Sequence, residues 1–208
     1  MTDATHNGRE GADGPTDEAL MVSFRRGDSK AFAVLVSRHR RGLFNFLLRS
    51  VNNPSRAEEL LQEVFLRVIR AKSRYEQTAR FSTWLYTIAR NLCVDESRRA
   101  KFRRTVSLDA PRRGRDGDER ESMIDSTAAV QVEVDDEAMG PTIQRRVSAA
   151  LDLLPDDQRE VFLMRQLGGL SFKQIGKVVG APENTVKSRM RYALEKLREQ
   201  LKDLRDLP

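Results

Sequence analysis

Between Glu183 and Leu201 the sequence sets out Asn184, Thr185, Lys187, Ser188, Arg189 and Arg191, a run of hydrogen-bonding and cationic side chains with no carboxylate among them. At about 100° per residue, Val186, Met190, Ala193 and Leu197 fall on one apolar stripe, and Asn184, Thr185, Ser188 and Arg191 on the opposite side. Lys187 and Arg189 flank that side and suit phosphates, while Asn and Arg can pair bidentately with adenine and guanine edges. From Ser171 to Arg198 there are seven basic residues against two acidic ones. A second stretch interleaves the aromatics Tyr75, Phe81, Trp84 and Tyr86 with cations. Six basic residues follow between Arg90 and Arg104, against Asp95 and Glu96. Helical spacing brings Trp84, Thr87, Asn91 and Arg98 to one side, an arrangement suited to unpaired bases stacking on rings while cations track phosphates. The third stretch has opposite character. Glu59, Gln62, Glu63 and Leu66 lie with Arg70 behind the apolar face Leu60, Leu61, Val64, Phe65, Val68 and Ile69. An acidic patch around a leucine on a basic chain fits a protein partner better than DNA.

Covalent chemistry finds little support. The nearest carboxylate pairs, Asp95-Glu96 and Asp156-Asp157, are sequence neighbours and point apart on a helix, and His6 and His39 suggest no metal cluster. Helix-start carboxylates account for Asp156 and Asp157. The one cysteine, Cys93, excludes an internal disulfide and a cysteine-based zinc site, and its apolar-rich surroundings read as burial. No catalytic residue, metal or cofactor is expected, and the chain is not expected to be an enzyme. Lys plus Arg number 37 and Asp plus Glu 31, for a net charge of +6 that favours a polyanionic partner. No apolar run approaches the ~18 residues of a membrane span, and the N-terminus lacks a signal-peptide core. A cytoplasmic protein without a membrane span is expected.

The elements that must position these residues are helices. Aromatics are only 6% of the 208 residues and Leu, Ala, Arg and Glu abound. The fold class is all-α: two small helical domains joined by a flexible acidic linker, the C-terminal one containing a helix-turn-helix. Residues 1–16 read as a disordered tail, 17–104 as the first domain, 105–141 as the linker and 142–208 as the second domain. The linker has ten acidic residues against four arginines, so at net −6 in a +6 chain it leaves about +12 for the rest. Ser55 with Glu58 forms a capping-box pattern for a helix over about 57–69, and Ser82 is a candidate N-cap for the helix that follows. In the second domain Ser171 with Gln174 is another capping box, for a short helix over 172–179. Gly180-Ala181-Pro182 then stops that helix and starts another over about 183–201. Two helices joined by a tight turn containing Gly form the helix-turn-helix plan, whose second helix enters the major groove.

At this point the residues resemble the bacterial sigma-70-type sigma factors, specifically the small extracytoplasmic-function (ECF) group. Ala57-Glu-Glu-Leu-Leu-Gln-Glu-Val-Phe-Leu looks like the family's core-polymerase-binding motif. Phe81-Ser-Thr-Trp-Leu-Tyr-Thr-Ile-Ala-Arg-Asn, with Asp95 and Arg98-Arg99, looks like its promoter-melting and minus-ten-reading helix. Leu154-Pro-Asp-Asp-Gln-Arg-Glu-Val-Phe-Leu and Ser171-Phe-Lys-Gln-Ile-Gly through Thr185-Val-Lys-Ser-Arg-Met look like its minus-thirty-five-binding domain. The resemblance implies a subunit that binds core RNA polymerase, directs promoter-specific initiation and aids promoter opening. By position it places Glu59, Gln62, Glu63 and Leu66 at the largest-subunit clamp and Trp84, Asn91, Arg98 and Arg99 at the minus-ten strand. Asn184, Thr185, Lys187, Ser188, Arg189 and Arg191 fall at the minus-thirty-five duplex. Many members of this family are held inactive by an anti-sigma factor, so the resemblance leaves room for one here. Two departures stand out. Ala181-Pro182-Glu183-Asn184 replaces the family's Ser-led start of the recognition helix, and Gly176 stands where Ala is usual. Two rival readings follow from the residues alone: a conventional helix-turn-helix regulator, which has no use for the acidic face around Leu66, and a metal-dependent nucleic-acid enzyme.

Overall fold

The computed structural model describes residues 14–75, 79–109 and 141–202, so the expected tail up to residue 13 and the linker from 110 to 140 lie outside the described residues. Among the described residues there are eight α-helices: α1 (Asp17–Arg25), α2 (Ser29–Val51), α3 (Pro54–Ala71), α4 (Phe81–Asp109), α5 (Pro141–Asp152), α6 (Asp156–Gln166), α7 (Phe172–Val179) and α8 (Glu183–Gln200), with a 3-10 turn at Lys72–Arg74. Helix α4 continues through residues 105–109, which the charge pattern assigns to the linker.

Helix α2 is the axis of the first domain, with α1, α3 and α4 packed around it. Leu35, Leu43, Phe46, Leu47, Val64, Phe81, Leu85 and Tyr86 are fully buried there. The link from α2 to α3 is made by two asparagines. Asn52 takes the left-handed conformation at φ 50°, which asparagine tolerates, and Asn53 caps α3 by accepting the Arg56 N–H at 2.9 Å. Pro54 occupies the first turn, where its missing N–H is not needed. The start expected at Ser55 therefore moves back to Asn53, because proline favours the first helical position and leaves the residue before it as the cap.

In the second domain the local pattern is followed closely. Ser171 Oγ accepts from Gln174 N at 3.3 Å and the Gln174 side chain accepts from Ser171 N at 2.7 Å, completing the capping box. Gly180 closes α7 at φ 70°. Gly176 has a packing reason: a Cβ there would lie 2.7 Å from the Ala181 carbonyl oxygen, so the turn between α7 and α8 closes directly over it. The α8 stripe Val186, Met190, Ala193 and Leu197 is buried.

The two domains also pack on each other, α4 against α7 and α2 against α6, in one continuous apolar core. Gly42 of α2 and Gly168 after α6 permit the approach. A Cβ on Gly42 would meet the Leu167 carbonyl oxygen at 2.6 Å, and one on Gly168 would meet the Tyr86 ring at 2.8 Å. Arg90 Nε donates to Glu160 Oε1 at 2.6 Å across the contact, and the Arg49 guanidinium donates to the Ser148 hydroxyl.

Candidate nucleic-acid and protein interface

On α8 the core stripe leaves Asn184, Thr185, Lys187, Ser188 and Arg191 exposed. Their engagement differs. Lys187 pairs with Glu183 one turn back at 2.8 Å, and Ser188 Oγ donates to the Asn184 carbonyl at 3.0 Å. Arg191 lies over the Tyr192 ring, 4.9 Å from its centroid, and 3.8 Å from Glu195, a loose pair in solvent. Arg189 points back to α6 and meets Asp157 at 3.0 Å, so it braces the helix-turn-helix as well as adding charge beside it. No side chain caps the start of α8, where Pro182 stands at the N-cap. The first free N–H groups of α8 remain available to an anion.

Trp84, Asn91 and Arg98 recur at seven-residue intervals on α4 and share one side of it, with Arg99 beside them. Asn91, Arg98 and Arg99 are exposed and Trp84 is half-buried. The indole belongs to an aromatic cluster, 5.2 Å from the Tyr75 ring and 6.0 Å from Phe81, with His39 a further 5.4 Å from Phe81. Tyr75 is buried, and burial together with the charges of Glu18 and Asp17 pushes its phenol up to about 12. The Thr87 hydroxyl is committed to the Thr83 carbonyl at 2.8 Å. Helix α4 begins at Phe81, so Ser82 lies in its first turn and is not the cap expected of it. The acceptor for the Phe81 N–H comes instead from α1: Glu18 Oε1, at 2.8 Å. Local patterns cannot register a cap 63 residues away.

Glu59, Gln62, Glu63 and Leu66 project from the outer face of α3, Leu66 with 44% of its surface exposed. Both carboxylates already hold arginines, Glu59 with Arg56 and Glu63 with Arg67 at 2.8 Å. The Arg67 hydrogen bond and charge hold the Glu63 carboxyl below the ordinary value. A cationic partner must therefore displace or join these arginines. Between α3 and α4 runs a cleft of about 320 Å³, with Glu59, Glu63 and Arg67 on one wall and Asp95, Glu96 and Arg99 on the other. The acidic face and the basic end of α4 thus border the same groove. Cys93 packs against the core, and burial pushes its thiol up to about 12, far from thiolate reactivity. Among the described residues no group of His, Cys, Asp or Glu is arranged to hold a metal ion.

A helix-turn-helix domain and a helical domain with an aromatic-basic helix beside an acidic face define the class: an all-helical nucleic-acid-binding protein. The family model described as sigma-70 region 2 matches residues 35–103, and that described as sigma-70 region 4 matches 144–197. The RNA polymerase sigma factor CarQ of Myxococcus xanthus is 36% identical over 88% of this chain and 97% of its own length. The ECF RNA polymerase sigma factor SigW of Bacillus subtilis is 32% identical over 86% of this chain and 94% of its own. Two solved structures share the fold at 22% identity. CnrH in complex with the cytosolic domain of CnrY aligns at a TM-score of 0.62, covering 90% of this chain and 97% of that one. The sigma factor RpoE in complex with the anti-sigma factor NepR from Bartonella quintana aligns at 0.60, covering 83% and 98%. The chain belongs to the sigma-70 family of RNA polymerase sigma factors, in its ECF group. It is a promoter-recognising initiation factor whose partners are core RNA polymerase and promoter DNA.

Proposed function

We propose that the three surfaces divide the work of initiation as the family resemblance implies. Glu59, Gln62, Glu63 and Leu66 on α3 dock on the largest-subunit clamp of core polymerase. Trp84, Asn91, Arg98 and Arg99 on α4 engage the minus-ten strand as it opens, and Asn184, Thr185, Lys187, Ser188, Arg189 and Arg191 of α8 meet the minus-thirty-five duplex. In domain terms, 17–104 is the polymerase-binding and minus-ten domain, 142–208 the minus-thirty-five domain and 105–141 their linker, after a tail of 1–16. The observation that carries this reading is the acidic face around exposed Leu66, set beside the aromatic-basic helix across one cleft. A conventional helix-turn-helix regulator has no use for that pair of surfaces. A cytoplasmic site of action and the lack of a catalytic activity of its own belong to the same reading. An anti-sigma factor is proposed as a further partner, because a structural neighbour was solved with one.

Co-sedimentation with bacterial core polymerase at moderate salt, without DNA, tests the reading. One-to-one association is expected, and it is expected to vanish in Glu63→Ala with Leu66→Ala while helical content stays unchanged. Unaltered affinity in the double variant removes the assignment of the α3 surface. A protein that stays free of polymerase yet binds duplex tightly as a dimer restores the conventional regulator.

A further inference from the structure

The residues that hold the start of α4 in place lie on α1, which precedes the span matched to sigma-70 region 2. A helix begins with N–H groups that lack intrahelical acceptors, and its first turn frays unless they are satisfied. In α4 the Phe81 N–H donates to Glu18 Oε1 at 2.8 Å, while the first turn of α4 contains no acid of its own. A carboxylate at this end also faces the positive pole of the helix dipole. Helix α1 is well anchored for such a role. The Thr16 hydroxyl caps it by accepting from Ala19 N at 3.2 Å, and Leu20, Met21 and Phe24 are buried beneath it. Asp17 accepts from Arg38 at 2.8 Å and from His39 at 2.6 Å; a carboxylate oxygen only accepts, so His39 Nε2 carries the hydrogen. At the other end of α1, Arg25 donates to the Tyr75 carbonyl at 3.3 Å.

These contacts converge on one place. The Phe81 backbone is held by Glu18, and the Phe81 ring lies against His39, Tyr75 and Trp84. Trp84 stands one turn after Phe81 and packs on Tyr75, whose carbonyl Arg25 grips. We propose that Glu18 is a positioning residue for promoter opening: by capping α4 from α1 it fixes the turn that presents Trp84 to the minus-ten strand. The proposal rests on the assignment of α4 to the minus-ten strand made above.

The chain has a single tryptophan, so the emission of the free protein reports Trp84 alone. The experiment uses the full-length protein and its holoenzyme, with a promoter fragment mapped by run-off transcription and carrying 2-aminopurine in the minus-ten strand. Glu18→Ala is expected to red-shift Trp84 emission, to speed hydrogen exchange at the Phe81 amide and to slow open-complex formation, each rate changing about fivefold, as for loss of a helix cap. Affinity for core polymerase, set by α3, is expected to hold, which guards against global unfolding. Glu18→Gln retains an oxygen that accepts from the Phe81 N–H and is expected to recover most of both rates. Two results overturn the positioning role while leaving the minus-ten assignment intact: wild-type opening rate and emission in Glu18→Ala, or a Glu18→Gln variant as impaired as Glu18→Ala. If the wild-type holoenzyme itself binds promoter yet leaves the 2-aminopurine stacked, the assignment of α4 fails and the proposal falls with it.

Discussion

Arg189 and Arg191 carry the same charge two positions apart on α8, on different sides of the helix, and are committed to different things. Arg191 is solvent-exposed, with a loose partner in Glu195 and its guanidinium stacked on Tyr192. A stacked guanidinium keeps its planar donor edge available for a guanine or a phosphate. Arg191→Ala is expected to weaken holoenzyme binding to a cognate promoter by roughly tenfold, the lower part of the range for one lost base contact, with polymerase affinity unchanged. Anisotropy titrations at one fixed salt concentration measure it, since phosphate contacts make any affinity salt-dependent. Arg189 is tied to Asp157 on α6, and its side chain retains only 29% of its exposure. Arg189→Ala is therefore expected to appear in thermal melting as well, at about 0.5–1 kcal/mol, because a partly exposed pair contributes no more than that. The charge count of the α8 face was legible in the sequence, but the division of labour between two arginines was not. It depends on where Asp157 falls once α6 packs on α8, and periodicity along α8 carries no information about that.

At the scale of elements, legibility followed the distance over which a signal acts. Ser171 with Gln174 caps α7 as its spacing predicts, and Gly180 and Pro182 set the limits of α7 and α8, because each signal acts within a few residues. Ser55 with Glu58 has the same spacing and does not open α3. Pro54 is better placed at the first helical position, which hands the cap to Asn53. Asn53→Ala is expected to lower stability by about 1 kcal/mol, whereas Ser55→Ala, an exposed first-turn substitution, should stay within about 0.5 kcal/mol. Denaturant midpoints for the two variants decide between the caps: equal effects would mean that Ser55 shares the role. Ser82 failed as a cap for a different reason. Nothing near it in the chain announces that Glu18 reaches Phe81 first, and only the docking of α1 on α2 and α4 brings it there.

For the whole molecule, the feature least visible in the sequence is the contact between the two domains. Glu160 lies largely buried in this contact, paired with Arg90. Burial raises its pKa above 4.5, and the charge and hydrogen bond of Arg90 offset this only in part, with Arg189 helping and Asp157 opposing. A carboxyl with a raised folded-state value binds its proton more tightly in the packed form than in the unfolded chain. Its penalty is absent below about pH 4.5 and grows as pH rises through the folded value, so by this group the contact is weaker at neutral pH than at pH 4.5. Removing Arg90 leaves the carboxylate without its partner. Arg90→Ala is expected to destabilise the contact by about 1–2 kcal/mol, less than for a fully buried pair, because the two side chains keep 26% and 21% of their exposure. Gly42 gives a test whose sign alone decides. In a free α2, replacing a mid-helix glycine by alanine stabilises by up to about 1 kcal/mol. In the packed molecule the new Cβ lies 2.6 Å from the Leu167 carbonyl oxygen, a backbone atom unable to swing aside, and 3.3 Å from the Tyr86 hydroxyl. Overpacking of this kind costs about 1–3 kcal/mol. Gly42→Ala is therefore expected to lower the thermal midpoint and to raise the radius of gyration in solution scattering as the domains part. A higher midpoint with unchanged scattering would mean that the domains already stand apart in solution, with α2 free to benefit from the alanine.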